Sequence, residues 1–239
     1  LGPNEMLLVA GKGHEETQDY GNKIINFSDK KIIKEIIHKR NFSFKKTHYQ
    51  DFLLGKIFDN NFKNVNYNGV SINTKTIKKN NLFFAIKGKN TDGHKFAKEA
   101  IKKGAIKSVV SKKIKQLSNN KVIKVKNTFS TLNNLAKITR DNSSAQIIGI
   151  TGSVGKTTLK NLISFSLRNY GKVYHSPYSY NNRFGVPLSL SNLKSNIDYG
   201  VFEIGMDKKG EIDNLSKIVK PEIAVITNIS GAHFKNFDT

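Results

Sequence analysis

The run Thr151-Gly152-Ser153-Val154-Gly155-Lys156-Thr157-Thr158 constrains this chain more than any other segment, because of what flanks it. Ile147, Ile148 and Ile150 before it read as a short buried strand, and Leu159, Leu162, Ile163, Ser166, Leu167 and Tyr170 after it recur at helical spacing. Strand, glycine loop, helix is the order of a phosphate-binding P-loop. Gly152 and Gly155 let the backbone turn tightly, so that the N–H groups of Gly152, Ser153, Val154, Gly155, Lys156, Thr157 and Thr158 can face phosphate oxygens while the helix adds the positive end of its dipole. The Lys156 ammonium is then placed to neutralise the β and γ phosphates of a nucleotide, and the Thr157 hydroxyl to ligate its magnesium. The strict pattern G-x-x-x-x-G-K-[ST] is not met, since it needs glycine where this chain has Ile150. A glycine turn followed by an exposed lysine is the plainer reading in a chain with 18 Gly; the strand and helix on either side favour the nucleotide site.

The 239 residues suffice for one large domain or two ordinary ones, and 37% hydrophobic content is enough for real cores. A total of 40 Lys+Arg against 18 Asp+Glu gives a net charge of +22, the balance of a nucleic-acid binder. The only arginines are Arg40, Arg140, Arg168 and Arg183, however, and the lysines are spread among Asn and Ile rather than gathered on one segment. Phosphate and base recognition favours arginine forks. A Lys/Asn/Ile excess is what an AT-rich coding sequence produces, so no nucleic-acid partner is expected. With no cysteine, disulfides and thiolate metal sites are excluded. The apolar run at 6–10 is too short for a signal-peptide core, and no stretch approaches the ~20 apolar residues that span a bilayer. A cytoplasmic protein without membrane insertion, acting as a monomer, is the expectation. The chain starts at Leu1 and stops at Thr239 soon after a strand-like run, so both ends read as cut.

Residues 1–40 read as a strand at 6–10, the loop Gly11-Lys12-Gly13-His14-Glu15, a strand at 23–27 and a helix over 29–39 capped by Ser28 or Asp29. Residues 41–145 read as a second unit: a strand at 82–86, a helix over 95–103 closed by Gly104, a strand at 108–111 and a helix over 130–141. From 146 onward come the P-loop, an apolar strand at 200–204 with Glu203 near its carboxyl end, a helix over 211–219 stopped by Pro221, and a buried strand at 223–229 leading to His233. This alternation predicts an α/β fold with a parallel, doubly wound sheet. Such sheets bind ligands at the carboxyl ends of their strands, where the P-loop, Glu203 and His233 all fall.

The run 149–158, then Glu203-Ile204-Gly205, Thr227-Asn228-Ile229 and Ala232-His233, resembles the central ATPase domain of the Mur ligases, which extend the peptide of the peptidoglycan precursor. Tyr180-Asn181-Asn182-Arg183-Phe184-Gly185-Val186-Pro187-Leu188 and Gly210-Glu211-Ile212 are similar to the MurF type. So are Leu82-Phe83-Phe84-Ala85-Ile86-Lys87-Gly88, Asp92-Gly93-His94 and Lys103-Gly104-Ala105, which match its amino-terminal domain. Residues 1–40, with Gly11-Lys12-Gly13-His14-Glu15, Gln18 and Phe27-Ser28-Asp29, resemble instead the carboxyl-terminal tail of a MurE-type ligase, where Gly11 and Glu15 would help grip an incoming amino acid. The chain would then be a junction of two consecutive pathway enzymes. Its implied parts are that tail at 1–40, a smaller α/β UDP-substrate domain at 41–145, and a truncated P-loop ATPase domain with a doubly wound parallel sheet at 146–239.

The resemblance implies an ATP-dependent amide ligase that activates the terminal carboxylate of UDP-N-acetylmuramoyl-tripeptide as an acyl phosphate and passes it to the amine of D-alanyl-D-alanine. Lys156, Glu203 and His233 would be its catalytic residues, with Thr157, Glu203 and His233 as Mg2+ ligands. Magnesium prefers oxygen, so His233 is the weakest of these on chemical grounds. Ser71, Asn73, Thr74 and Lys75 stand where the family has an acidic-Ser/Thr-Arg run that meets the UDP-sugar; Asn here replaces the acid and Lys the Arg, and a lysine cannot reproduce an arginine fork. Asn181 and Asn182 would face substrate, although Asn in a loop is as readily a turn former. The family's carbamylated lysine and its carboxyl-terminal domain would lie beyond Thr239, so the piece by itself is expected not to make product. A folylpolyglutamate synthase type of ligase, or a basic nucleic-acid binder, are the alternatives.

Overall fold

The computed structural model describes residues 17–19, 21, 23–26, 28, 65–115 and 117–230. The chain divides into two compact units, Leu1–Tyr49 and Gln50–Thr239. In the first, β1 (Thr17–Asp19) and β2 (Ile24–Asn26) pair antiparallel, with Gly21 at φ 81 in the connection. The expected elements at 6–10 and 29–39 lie outside the described residues.

The second unit holds two four-stranded parallel sheets. The first sheet has the order β3-β4-β5-β6, with β3 at Gly69–Ser71, β4 at Asn81–Phe84, β5 at Lys107–Val110 and β6 at Val122–Lys124. Between β4 and β5 a 3-10 turn at Gly93–Phe96 runs into α1 (Ala97–Lys102), and Gly104 at φ 102 supplies the left-handed residue that follows the helix. Both faces of this sheet are covered, as its runs of consecutive apolar residues require. Leu82 and Phe84 enter one core with Val109 and Ile123, while Phe83 points to the opposite face with Ala97, Ala100 and Val110.

The second sheet has the order β10-β7-β9-β8, with β7 at Gln146–Thr151, β8 at Val173–His175, β9 at Tyr199–Glu203 and β10 at Ile223–Ile226. Helices cover both faces, as doubly wound topology demands. Leu159, Ile163 and Leu167 of α3 (Lys156–Leu167) pack on Ile148, Ile150 and Val201. On the other face, α2 (Thr128–Asp141), α4 (Gly185–Ser191) and α5 (Glu211–Val219) bury Ala136, Val186, Leu190, Leu215 and Val219 against Ile147 and Phe202. The strand expected to be buried over 223–229 needs correction: Ile223, Ile226 and Ile229 are 42%, 60% and 88% exposed. Among the described residues β10 pairs with β7 alone, so its far edge and faces lack the cover that a central strand receives.

The two sheets are joined through shared helices. Leu132 and Leu135 of α2 and Leu188 of α4 belong to the core of the first sheet, and Ala136 of α2 with Val186 and Leu190 of α4 belong to that of the second. Asn192, just after α4, accepts from Val70 N–H at 2.8 Å and donates to Val70 C=O at 3.0 Å, so one side-chain amide pairs with the edge of β3 as a neighbouring strand would. Arg140 makes the second tie. Its Nε donates to Val219 C=O at 2.8 Å, and its Nη2 donates to Lys220 C=O at 2.7 Å and Glu222 Oε1 at 2.6 Å. Glu222 Oε2 in turn accepts the Ile147 N–H at 2.6 Å. Partial burial raises the Glu222 carboxyl, but the Ile147 amide and the Arg140 guanidinium outweigh it and hold the group below its ordinary value.

Candidate nucleotide site

The P-loop leaves the carboxyl end of β7 and enters α3 through Gly155, which stands at φ 86 as the N-cap residue. No side chain caps this helix, so its first N–H groups keep their capacity for an anion. The loop is clamped by the segment after β10. Thr227 Oγ1 donates to Val154 C=O at 2.6 Å, Asn228 Oδ1 accepts from Val154 N–H at 2.9 Å, and Ser153 N–H donates to Asn228 C=O at 3.0 Å. Ser153 Oγ donates to Ser230 C=O at 2.8 Å and accepts from Ser230 N–H at 3.0 Å. Lys156 folds across the loop, its Nζ donating to Gly152 C=O at 2.5 Å and Ser153 C=O at 3.2 Å. Val154 on the loop and Thr158 in the first turn of α3 are exposed.

Glu203 ends β9 next to this loop and is 1% exposed. Its Oε2 accepts from Thr157 Oγ1 at 2.8 Å, and its Oε1 accepts from Asn181 Nδ2 at 2.7 Å. Asn181 is fixed in turn by Gly205, whose N–H donates to the Asn181 carbonyl at 2.7 Å; a Cβ at 205 would stand 2.8 Å from Asn181 Cγ. The sequence motif Glu203-Ile204-Gly205 is therefore one device, an acid and the glycine that admits its partner. A hydroxyl and a carboxylate held side by side at the mouth of a phosphate loop are hard oxygen donors, the set that magnesium takes.

The other candidate residues divide. Asn182 turns its oxygen inward, accepting from the N–H groups of Phe184 at 3.1 Å and Gly185 at 2.9 Å, which starts α4; the turn-former reading describes its role here. Ser71 is buried at the end of β3, and its hydroxyl is used locally, donating to Asn73 C=O at 2.9 Å and accepting from Asn73 N–H at 3.1 Å. Asn73 Oδ1 accepts from Lys75 N–H at 2.9 Å, so 71–75 is an Asx-type turn with Thr74 buried and the Asn73 and Lys75 side chains outside. Gly11, Glu15 and His233 lie outside the described residues. Sequence reading did not single out Lys160, which is buried beside Glu203, nor Asn192 and Arg140. In a chain this rich in lysine, a lysine four residues into a helix carries no signal of burial.

Beyond the carboxyl ends of β4 and β5 a second polar cluster forms. His94 is buried; its Nδ1 meets Asp92 Oδ1 at 2.6 Å, and its Nε2 accepts from Ser111 N–H at 2.9 Å. The Lys112 ammonium, 2.6 Å from Asp92 Oδ2, is the main cause that holds the Asp92 carboxyl well below the usual carboxylate range. Because Ser111 N–H occupies the imidazole lone pair, His94 ties two loops together rather than activating the nearby hydroxyl.

Two family profiles match this chain: "Mur ligase family, catalytic domain" over residues 66–142 and "Mur ligase middle domain" over 150–239. The chain belongs to the Mur ligase family. Among curated Mur ligases it is 42% identical over 173 residues to the UDP-N-acetylmuramoyl-tripeptide--D-alanyl-D-alanine ligase of Rickettsia prowazekii, covering 72% of this chain and 38% of that one. It is 33% identical over 187 residues to the Bacillus subtilis enzyme of the same name, covering 78% and 41%. Among solved Mur ligases, a crystal structure of MurF from Acinetobacter baumannii superposes with a TM-score of 0.68 at 28% identity, covering 78% of this chain and 42% of that one. MurF from Thermotoga maritima in complex with ADP superposes with a TM-score of 0.58 at 33% identity, covering 69% and 38%. The chain thus spans about two fifths of the length of the curated relatives it matches. The Mur ligase match falls on the two parallel sheets and their shared helices, and the α/β fold expected from sequence is the one found. Among the described residues no helix is long and apolar enough to cross a membrane.

Proposed function

We propose that this chain carries the nucleotide site and the UDP-precursor site of an ATP-dependent ligase that joins D-alanyl-D-alanine to UDP-N-acetylmuramoyl-tripeptide. The observation that carries the reading is the convergence of an uncapped helix N-terminus, Lys156, Thr157 and a buried Glu203 at the carboxyl ends of β7 and β9. The names of the relatives and the ADP bound to one structural neighbour support it. On this reading residues 41–145 bind the UDP-sugar and 146–239 belong to the ATPase domain, with 1–40 the tail of a MurE-type partner joined to it.

The α3 N–H groups orient the triphosphate, and Lys156 exchanges its two loop carbonyls for phosphate oxygens. Thr157 and Glu203 would hold Mg2+, with His233 as a further ligand. When bound, the metal spreads and neutralises charge on the transferred phosphoryl group. The precursor's terminal carboxylate oxygen attacks the γ-phosphorus as ADP leaves. The dipeptide amine then attacks the acyl carbon, losing a proton as phosphate departs and the amide forms. Charge on the transferred group peaks in the transition state, where a positioned cation contributes most.

The test is amide formation and phosphate release by the full-length protein given ATP, UDP-N-acetylmuramoyl-tripeptide and D-alanyl-D-alanine. Lys156→Ala is expected to lower turnover at least ~100-fold, about 3 kcal/mol, by analogy with other preorganised electrostatic groups. Binding of the UDP-precursor should stay nearly unchanged. Turnover near the wild-type value in that variant removes the P-loop from the mechanism.

A further inference from the structure

Lys160 lies one turn after Lys156 on α3, and its side chain is 1% exposed. A buried ammonium is costly unless it is paired. Here Nζ donates to the carbonyl of Tyr178 and stands 3.5 Å from Glu203 Oε2, on a side chain itself 2% exposed. Tyr178 is a non-glycine residue at φ 49, so Lys160 fastens a loop carbonyl in a backbone conformation that side-chain-bearing residues rarely adopt. The same loop delivers Asn181 to the other oxygen of Glu203. Thr157 and Asn181 give the carboxylate neutral hydrogen bonds, and Lys160 gives it charge.

The electrostatic consequence concerns which form of metal the site accepts. The Lys160 ammonium stands against the Glu203 carboxylate, and a second ammonium, Lys156, is held on the carbonyls of the loop that leads to Thr157. Among the described residues no group of three His, Cys, Asp or Glu side chains is arranged to hold a metal ion. A bare divalent cation arriving between Thr157 and Glu203 would meet a carboxylate whose charge Lys160 already offsets. A nucleotide brings phosphate oxygens and negative charge of its own, which invert that balance.

We propose that Lys160 is the internal counter-ion of Glu203 and makes this site take a divalent cation only together with nucleotide phosphate. The proposal rests on the nucleotide-site reading of the P-loop. It is tested with Mn2+ as probe, its binding to the intact protein followed by equilibrium dialysis as Mn2+ retained with the protein, with and without ADP. The wild type and Lys160→Arg are expected to bind Mn2+ only when ADP is present. Lys160→Gln keeps a donor for the Tyr178 carbonyl but carries no charge. It is expected to bind Mn2+ without ADP at least about tenfold more tightly than the wild type does, the least that removing a unit charge so close to a divalent ion should give. Adding Glu203→Gln to that variant should abolish the gain. ADP-dependent binding in the wild type with no gain in Lys160→Gln overturns the counter-ion role alone. Absence of Mn2+ binding even with ADP overturns the nucleotide-site reading, and the proposal with it. Should Lys160→Gln fail to fold, Lys160→Met takes its place in the same titrations with the same two outcomes, and Mn2+ binding by the wild type without ADP as tight as with it overturns the proposal.

Discussion

A Cβ on Gly152 would stand 2.1 Å from Thr227 Oγ1 and 3.0 Å from the backbone N and O of Asn228, at a φ of 131 that side-chain-bearing residues rarely adopt. Two of those three contacts are backbone, which cannot swing aside. Gly152→Ala is therefore expected to cost about 3 kcal/mol of stability and to loosen the Thr227–Asn228 clamp. Urea denaturation would measure the first effect and ADP titration the second, and an alanine variant with unchanged ADP affinity would show that the clamp does not shape the site. The P-loop glycines, Lys156, Thr157 and Glu203 were legible in the sequence because glycine and charge at strand ends are rare enough to notice. Lys160 was not, since nothing local marks which of many lysines a fold will bury. For Asn182 the sequence could offer only two uses of the same amide, and the start of α4 selected the local one.

At the level of elements, helical spacing located α2, α3 and α5 well, yet overstated what α3 buries. Leu162, and Tyr170 beyond the end of the helix, are 59% and 78% exposed, because the sheet covers only the stripe of Leu159, Ile163 and Leu167. Periodicity reports that a face is apolar; it does not report whether anything covers it. The short β3, β6, β8 and α4 were not read from sequence at all, since three to seven residues are too few for a period to show. Helix α2 offers a test of its own. Thr139 is 3% exposed and its hydroxyl lacks a hydrogen-bond partner among the described residues. Thr139→Val keeps the shape and removes the orphaned hydroxyl, and is expected to stabilise the protein by about 1 kcal/mol. A thermal midpoint that falls instead would mean the hydroxyl is satisfied by bound water.

For the molecule as a whole, two carboxylates make acid the expected route to unfolding. Asp92, held down chiefly by Lys112, and Glu222, held down by Ile147 N–H and Arg140 against its partial burial, both have folded values below their ordinary 3.8 and 4.5. A depressed carboxyl contributes stability that is fully present above its unfolded value and lost as pH falls through the folded one. Stability should thus be flat near neutrality and decline below about pH 4 to 5. Asp92→Asn, which keeps an oxygen to accept the His94 N–H, should lower stability at pH 7 and make the decline shallower. Denaturant midpoints of both proteins across pH 3 to 7 would show it, and parallel curves would remove Asp92 from the account.

The helix that connects the two parallel sheets is buried in both cores, and this determines where the molecule can bend. Flexing between domains ordinarily runs through exposed linkers that few contacts cross. Between β6 and β7 the linker is α2 itself, packed through Leu132 and Leu135 on one side and Ala136 on the other, with Arg140 riveting its end to the 219–222 turn. The two sheets therefore travel as one anvil, and any motion of one against the other would have to break the packing of α2.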